Sequence, residues 1–151
     1  MFYSRIELSS DISKLIEVEK FIDFIMSDCS LPEQYRGLLA APMMEAAKNA
    51  IVHGNGNDSR KKIQILCRQQ RDKLVITVAD EGKGFPYEQY HQSGQHLQTH
   101  GLSVIHAICN DVEFQQNGSV IVFSVPVPIR QKLPQHTIKF DTIASSVLQT
   151  K

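Results

Sequence analysis

No stretch of this sequence is apolar over enough residues to cross a bilayer. The longest strongly apolar run, Ser119 to Ile129, is about half of a membrane span and is interrupted by Pro126 and Pro128. The first residues, MFYSRIELSS, lack a basic region followed by an apolar core, so no secretory signal is expected. An excess of one charge is missing too: Lys plus Arg number 16 and Asp plus Glu number 16. A zero formal charge speaks against an electrostatic nucleic-acid binder and against a polybasic membrane anchor. Cysteine is scarce. Cys29, Cys67 and Cys109 are odd in number and far apart, a pattern of buried thiols in a reducing cytoplasm rather than of a disulfide framework or zinc site.

What is present is enough for one folded domain. A chain of 151 residues buries roughly 70% of its unfolded surface, so it needs no staple to hold a core. Its residues are 42% hydrophobic and 21% charged, the balance of a globular protein rather than a disordered one.

Periodicity divides the chain. Phe2, Ser4, Ile6 and Leu8 alternate with Tyr3, Arg5 and Glu7, which predicts a strand. Ser9, Ser10 and Asp11 supply N-cap chemistry. Ile12, Leu15, Ile16, Ile22, Ile25 and Met26 then recur at helical spacing to about Cys29. A second helix is expected from near Pro32 to about His53, with a kink at Pro42 because the apolar spacing continues across it. Gly54 to Ser59 has the composition of a loop. Residues 62–68 and 73–79 alternate around Arg71-Asp72, a hairpin signal. Apolar periodicity is lost over residues 80–100 and returns as a short helix from Gly101 to Cys109. Two strands then flank Asn117-Gly118. The order β-α-α-β-β-loop-α-β-β predicts an α+β fold. It is a two-layer α/β sandwich with a mixed, mostly antiparallel sheet and helices on one face. Residues 1–127 form the expected domain. Residues 128–151, rich in breaks such as Pro128 and Pro134, are expected to be a tail, packed or partner-binding.

Three segments carry candidate chemistry. In the first, Glu45, Asn49 and His53 are spaced i, i+4, i+8 and share one stripe of a helix. The stripe is either simply solvated or a site: the Asn49 amide oxygen suits Mg²⁺, and Glu45 one turn earlier can accept a proton from a hydroxyl. In the second, a strand ends at Asp80, followed by Gly82 and Gly84. A carboxylate there can accept a hydrogen bond from an exocyclic amine, and the glycines allow close backbone approach. In the third, Gly101-Leu102 opens a helix whose unpaired N–H groups favour phosphate. Each signal alone is also that of an ordinary turn or helix start.

Other residues are weaker candidates. His91, His96 and His100 invite a metal reading, but Gln and Ser surround them and a solvated segment explains them. His106 and Cys109 share a helix, yet Cys109 falls among apolar positions and reads as core. Lys48 reads as solvated. Ser103 either touches a phosphate or supports the helix start.

Together, the ordered motifs resemble the GHKL (Bergerat-fold) ATP-binding domains of histidine kinases, gyrase, Hsp90 and MutL. The run Glu45 to Asn55, preceded by a strand, a helix and Leu31-Pro32, is most similar to the anti-sigma-factor serine kinases. The resemblance covers about residues 5–127. It implies ATP and Mg²⁺ as cofactors. Asn49 would ligate the Mg²⁺, and Glu45 would be the general base for the attacking serine. Asp80 would bind the adenine amino group, with Gly82 and Gly84 shaping the loop beneath it. Residues 85–100 would form a lid, and Gly101 and Leu102 would present amides to the phosphates. The chain departs from the family at Thr99-His100-Gly101-Leu102, where the pattern reads Gly-x-Gly-Leu.

The resemblance also implies a biology. The chain would be a cytoplasmic, ATP-dependent anti-sigma factor and protein-serine kinase, commonly a homodimer. It would sequester a sigma factor and phosphorylate an anti-anti-sigma (STAS) antagonist, touching neither nucleic acid nor membrane. The alternatives are a regulatory module that binds ATP and sequesters a protein without transferring phosphate, and a stand-alone histidine-kinase-type catalytic domain. The length leaves no room for the dimerisation and phosphoacceptor helices of a full histidine kinase.

Overall fold

The computed structural model describes residues 1–84 and 101–128. The expectations for a lid over 85–100, for His91, His96 and His100, and for the tail beyond residue 128 lie outside the described residues.

Strand β1 (Tyr3–Ser9) leads through a 3-10 turn (Ile12–Lys14) into helix α1 (Leu15–Asp28). The Asp11 carboxylate accepts from the Ser13 N–H at 2.9 Å and so caps that turn, as the sequence suggested. A second 3-10 turn (Glu33–Tyr35), entered from Pro32, precedes α2 (Arg36–Asn49). There follow β2 (Lys62–Gln70), β3 (Lys73–Ala79), α3 (Leu102–Ile108), β4 (Asn110–Gln115) and β5 (Val120–Pro126). This is the order the periodicity predicts. The five strands lie in the order β1-β2-β3-β5-β4. Every pairing is antiparallel, where the sequence left room for a mixed sheet.

Alternation sets which strand residues face the helices. Ile63, Ile65 and Cys67 of β2, Leu74, Ile76 and Val78 of β3, and Ile121, Phe123 and Val125 of β5 share one cluster with the buried faces of the helices. From α1 come Val18, Phe21, Ile22, Ile25 and Met26, at i, i+3, i+4, i+7 and i+8. Ile76, Ile65 and Phe123 are fully buried. All three cysteines are buried, and none forms a disulfide. Burial pushes the Cys67 and Cys109 thiols up to about 12, so neither is a nucleophile at neutral pH.

One detail of the helices differs from the sequence reading, and one agrees with its single helix through Pro42. Ile12 and Ile16 are half exposed, at 49% and 51%. The buried stripe of α1 is in phase with Val18 and Phe21, so these two residues fall outside it. Pro42 lies buried inside a single continuous α2, with no turn dividing it. A proline there removes one N–H from the helix ladder, and burial of its ring compensates for part of that loss.

Helix α2 then widens. Residues Ala50–Gly54 form a π-turn, with the Asn55 N–H donating to the Ala50 carbonyl at 2.8 Å. This i to i−5 closure brings an extra residue round to the face that Asn49 occupies.

Candidate functional site

A cleft of about 570 Å³, partly open to solvent, lies between α2 and the sheet. One wall is Ala46, Asn49, Ala50, His53 and Gly54, from α2 and its π-turn. The opposite wall is Val78 of β3, Asp80 and Gly84 after it, and Phe114, Gly118, Ser119 and Ile121 from the β4–β5 hairpin. Leu102, at the start of α3, closes one end. Asn49 and Asp80, more than thirty residues apart in the sequence, therefore face one space.

Asp80 stands where β3 leaves the sheet. Its own N–H donates to the Ser119 carbonyl at 2.9 Å, which ties it to the start of β5. Its carboxylate accepts from the Gly82 N–H at 2.8 Å. Partial burial raises the acid's pKa above the usual carboxylate value, and the Gly82 N–H and the Lys61 charge oppose that rise. The result is a carboxylate held in a fixed direction with acceptor capacity to spare.

Two glycines make room for it. A Cβ at Gly54 would collide with the Asp80 carboxyl group, and one at Gly82 would collide with the Gly54 carbonyl. The π-turn and the Asp80 loop thus meet at closer range than any side chain allows. Gly82 itself lies behind the cleft rather than in its wall.

Glu45 lies one turn before Asn49 and does not line the cleft. Its carboxylate is packed against Gly101, where a Cβ would overlap it. Gly101 has φ of 66°, a left-handed conformation, and precedes the first residue of α3. The pair Glu45 and Gly101 therefore borders the Leu102 end of the cleft. Helix α3 has only two turns, so its dipole adds little there. Lys48 is exposed on the far side of α2. Cys109 is buried in the core, as the apolar spacing indicated.

Three contributions were hidden in the sequence. Gly54 and Asn55 end the run that carries the family resemblance, but their turn composition gave them no role of their own. Yet Asn55 is 3% exposed, and its side chain is hydrogen bonded to three other segments. Phe114 and Ile121 are cross-strand partners that floor the cleft, and only the strand alternation hinted at their direction. Ser119 had no signal beyond its place next to a turn.

Among the described residues, no group of three or more His, Cys, Asp or Glu could hold a metal ion. A cation here would rest on Asn49 and on oxygens brought by a ligand. Likewise, no helix among the described residues is long and apolar enough to cross a membrane.

Comparison with known proteins agrees with this geometry. Over 40 residues the chain is 45% identical to the anti-sigma F factor of Oceanobacillus iheyensis, covering 26% of this chain and 27% of that one. Over 95 residues it is 25% identical to the serine-protein kinase RsbW of Bacillus velezensis, covering 56% and 59%. Over 83 residues it is 29% identical to the chemotaxis protein CheA of Halobacterium salinarum, covering 48% of this chain and 12% of that one. These matches span less than two thirds of each relative. The model of the histidine kinase-like ATPase domain, by contrast, matches residues 8–125, from the end of β1 to the end of β5. A site whose two walls are α2 and the Asp80 loop, on a sheet of this order, within a match of that extent, places the chain in the histidine kinase-like ATPase domain family.

Proposed function

We propose that this chain is an ATP-dependent anti-sigma factor and protein-serine kinase. It would hold a sigma factor in the cytoplasm and phosphorylate a serine of an anti-anti-sigma STAS antagonist, as a homodimer. The observation that carries the reading is the joint placement of Asn49 and Asp80 on opposite walls of one cleft. The similarity to an anti-sigma F factor and to RsbW supports the choice of branch.

The residues present fit ATP and Mg²⁺. Gly54 and Gly82 let the turn after Asn49 close directly on the Asp80 loop, which holds the Asp80 carboxylate at the cleft. The Asp80 carboxylate accepts a hydrogen bond from the adenine amino group. Val78, Phe114 and Ile121 give the base an apolar surround. Asn49 presents a neutral amide oxygen, a hard donor suited to Mg²⁺. The ion supplies neutralisation of the charge that builds on the transferring phosphoryl group. Glu45 takes the proton from the attacking serine hydroxyl, in the role of general base. Gly82 and Gly84 shape the loop beneath the base, while Gly101 and Leu102 set the backbone at the phosphate end. Leu102 also excludes water there, being 3% exposed.

The test is direct. The unaltered protein is incubated with Mg²⁺ and radiolabelled ATP in the presence of a STAS-domain antagonist. Label on an antagonist serine is the expected result, and absence of ATP binding by calorimetry would remove the reading. A second reading has one observation in its favour: Thr99-His100 stands where the family pattern has its first glycine. ATP bound without any serine labelled, together with retention of a sigma factor, would mark a module that sequesters without transferring phosphate.

A further inference from the structure

We propose that Asn55 is a positioning residue that fixes the Asp80 loop relative to the Asn49 helix, and so sets the purine selectivity of the cleft. The proposal rests on the nucleotide reading above and goes beyond it.

Asn55 is 3% exposed, unusual for an amide in a run of turn residues. Every polar atom of its side chain is used. Nδ2 donates to the Ser10 hydroxyl at 2.5 Å and to the Lys62 carbonyl at 2.9 Å. Oδ1 accepts from the Glu81 N–H at 2.8 Å. Its backbone N–H closes the π-turn on Ala50. One residue thus joins the end of β1, the start of β2, the turn after Asn49 and the loop after β3.

The chemistry singles out asparagine. Two donors and one acceptor on a short, planar group are required. Aspartate has no donor for Ser10 and Lys62. Alanine leaves the part-buried Glu81 N–H and Lys62 carbonyl without this partner, and serine is too short to span the three groups. A fully satisfied buried network has one low-energy geometry.

The consequence runs through Glu81. Its N–H, held by Asn55, is the peptide immediately after Asp80. Its carboxylate reaches back to accept from the Lys62 N–H at 2.8 Å. Together with the Gly82 N–H on the Asp80 carboxylate, these bonds fix the direction of the acid that lines the cleft. Asn55 touches no ligand. It acts through the Asp80 loop.

The experiment compares ATP with inosine triphosphate, which has an oxygen where adenine has its amino group. Affinities are measured by calorimetry for the unaltered protein, Asn55→Ala and Ser10→Ala, alongside melting temperatures. Ser10→Ala removes one buried bond of Asn55 and leaves the Glu81 link. The expected result is a preference for ATP in the unaltered protein, lost by roughly tenfold in Asn55→Ala, as for one well-placed hydrogen bond to a charged group. Ser10→Ala should melt earlier and keep the preference. An Asn55→Ala protein that melts earlier yet keeps its preference would make Asn55 merely structural and overturn the proposal. No binding of either nucleotide by the unaltered protein would remove the nucleotide reading itself. Should Asn55→Ala fail to fold, amide exchange at Glu81 in the unaltered protein decides. Protection matching that of the β3 amides supports the clamp, and exchange at the rate of an open loop overturns it.

Discussion

The two ends of the cleft are built differently. At the Asp80 end, four separate segments converge and are cross-linked by hydrogen bonds through Asn55, Gly82 and Ser119. At the Leu102 end, the described contact is one carboxylate, Glu45, packed on one glycine in a left-handed conformation. On the proposed reading, the first end would be preorganised and would need little rearrangement to accept a base. The second places a proton acceptor next to a backbone that only glycine can supply. In the proposed function, recognition would rest on the sheet and its loops, and the chemistry on how α2 and the start of α3 meet.

That contrast can be broken at either end. The largest effect is expected at the chemical end. Glu45→Ala should keep ATP affinity and lose on the order of 10²–10⁴ in the rate of serine labelling, the usual contribution of a positioned base. Equal labelling by both proteins would remove Glu45 from that role. Asn49→Ala should weaken Mg²⁺-dependent ATP binding by on the order of 10–100-fold in calorimetry and leave metal-free nucleotide binding less affected. Gly101→Ala should cost roughly 1–2 kcal/mol of stability in urea titrations through its positive φ. It should also slow labelling by displacing Glu45. An unchanged labelling rate would separate the two groups.

The smallest effect belongs to the recognition end and carries a sign. Burial raises the Asp80 pKa in the folded state. A raised carboxylate pKa contributes stability that is present at low pH and is lost as pH rises through the folded value. Asp80→Asn should therefore melt slightly later than the unaltered protein at pH 7, with the difference shrinking as pH falls through the raised folded value toward the ordinary carboxylate value. It should also lose its preference for ATP over inosine triphosphate. Stability gained with selectivity lost is the signature of an acid kept for binding rather than for folding.

The sequence was most informative where a repeat period is long enough to read. Both hairpins and the order of all elements follow from alternation and helical spacing. The Arg71-Asp72 and Asn117-Gly118 turns lie where their composition put them. The pairing of Glu45, Asn49 and Asp80 as candidates came from motif order, and the cleft brings Asn49 and Asp80 together while leaving Glu45 at its border. What was not legible has physical causes. The π-turn breaks the 3.6-residue period for one turn only, so Gly54 reads as a loop residue. Ile12 and Ile16 match helical spacing, but the phase of the buried stripe is set by packing against the sheet. Asn55 looks like any turn asparagine, because its burial depends on Ser10, Lys62 and Glu81, residues distant in the chain. The contact of Gly101 with Glu45 is likewise a product of tertiary structure.

The buried thiols have a practical consequence. Cys67 is 0% exposed on β2, flanked on both sides by β1 and β3, and burial keeps it protonated. A thiol reagent reaches it only when the sheet opens, so its labelling rate gauges the population of the open chain. Any ligand that binds only the folded state lowers that population by the factor 1 + [L]/Kd. Cys67 labelling under increasing nucleotide would then give affinities with no tag and no substitution.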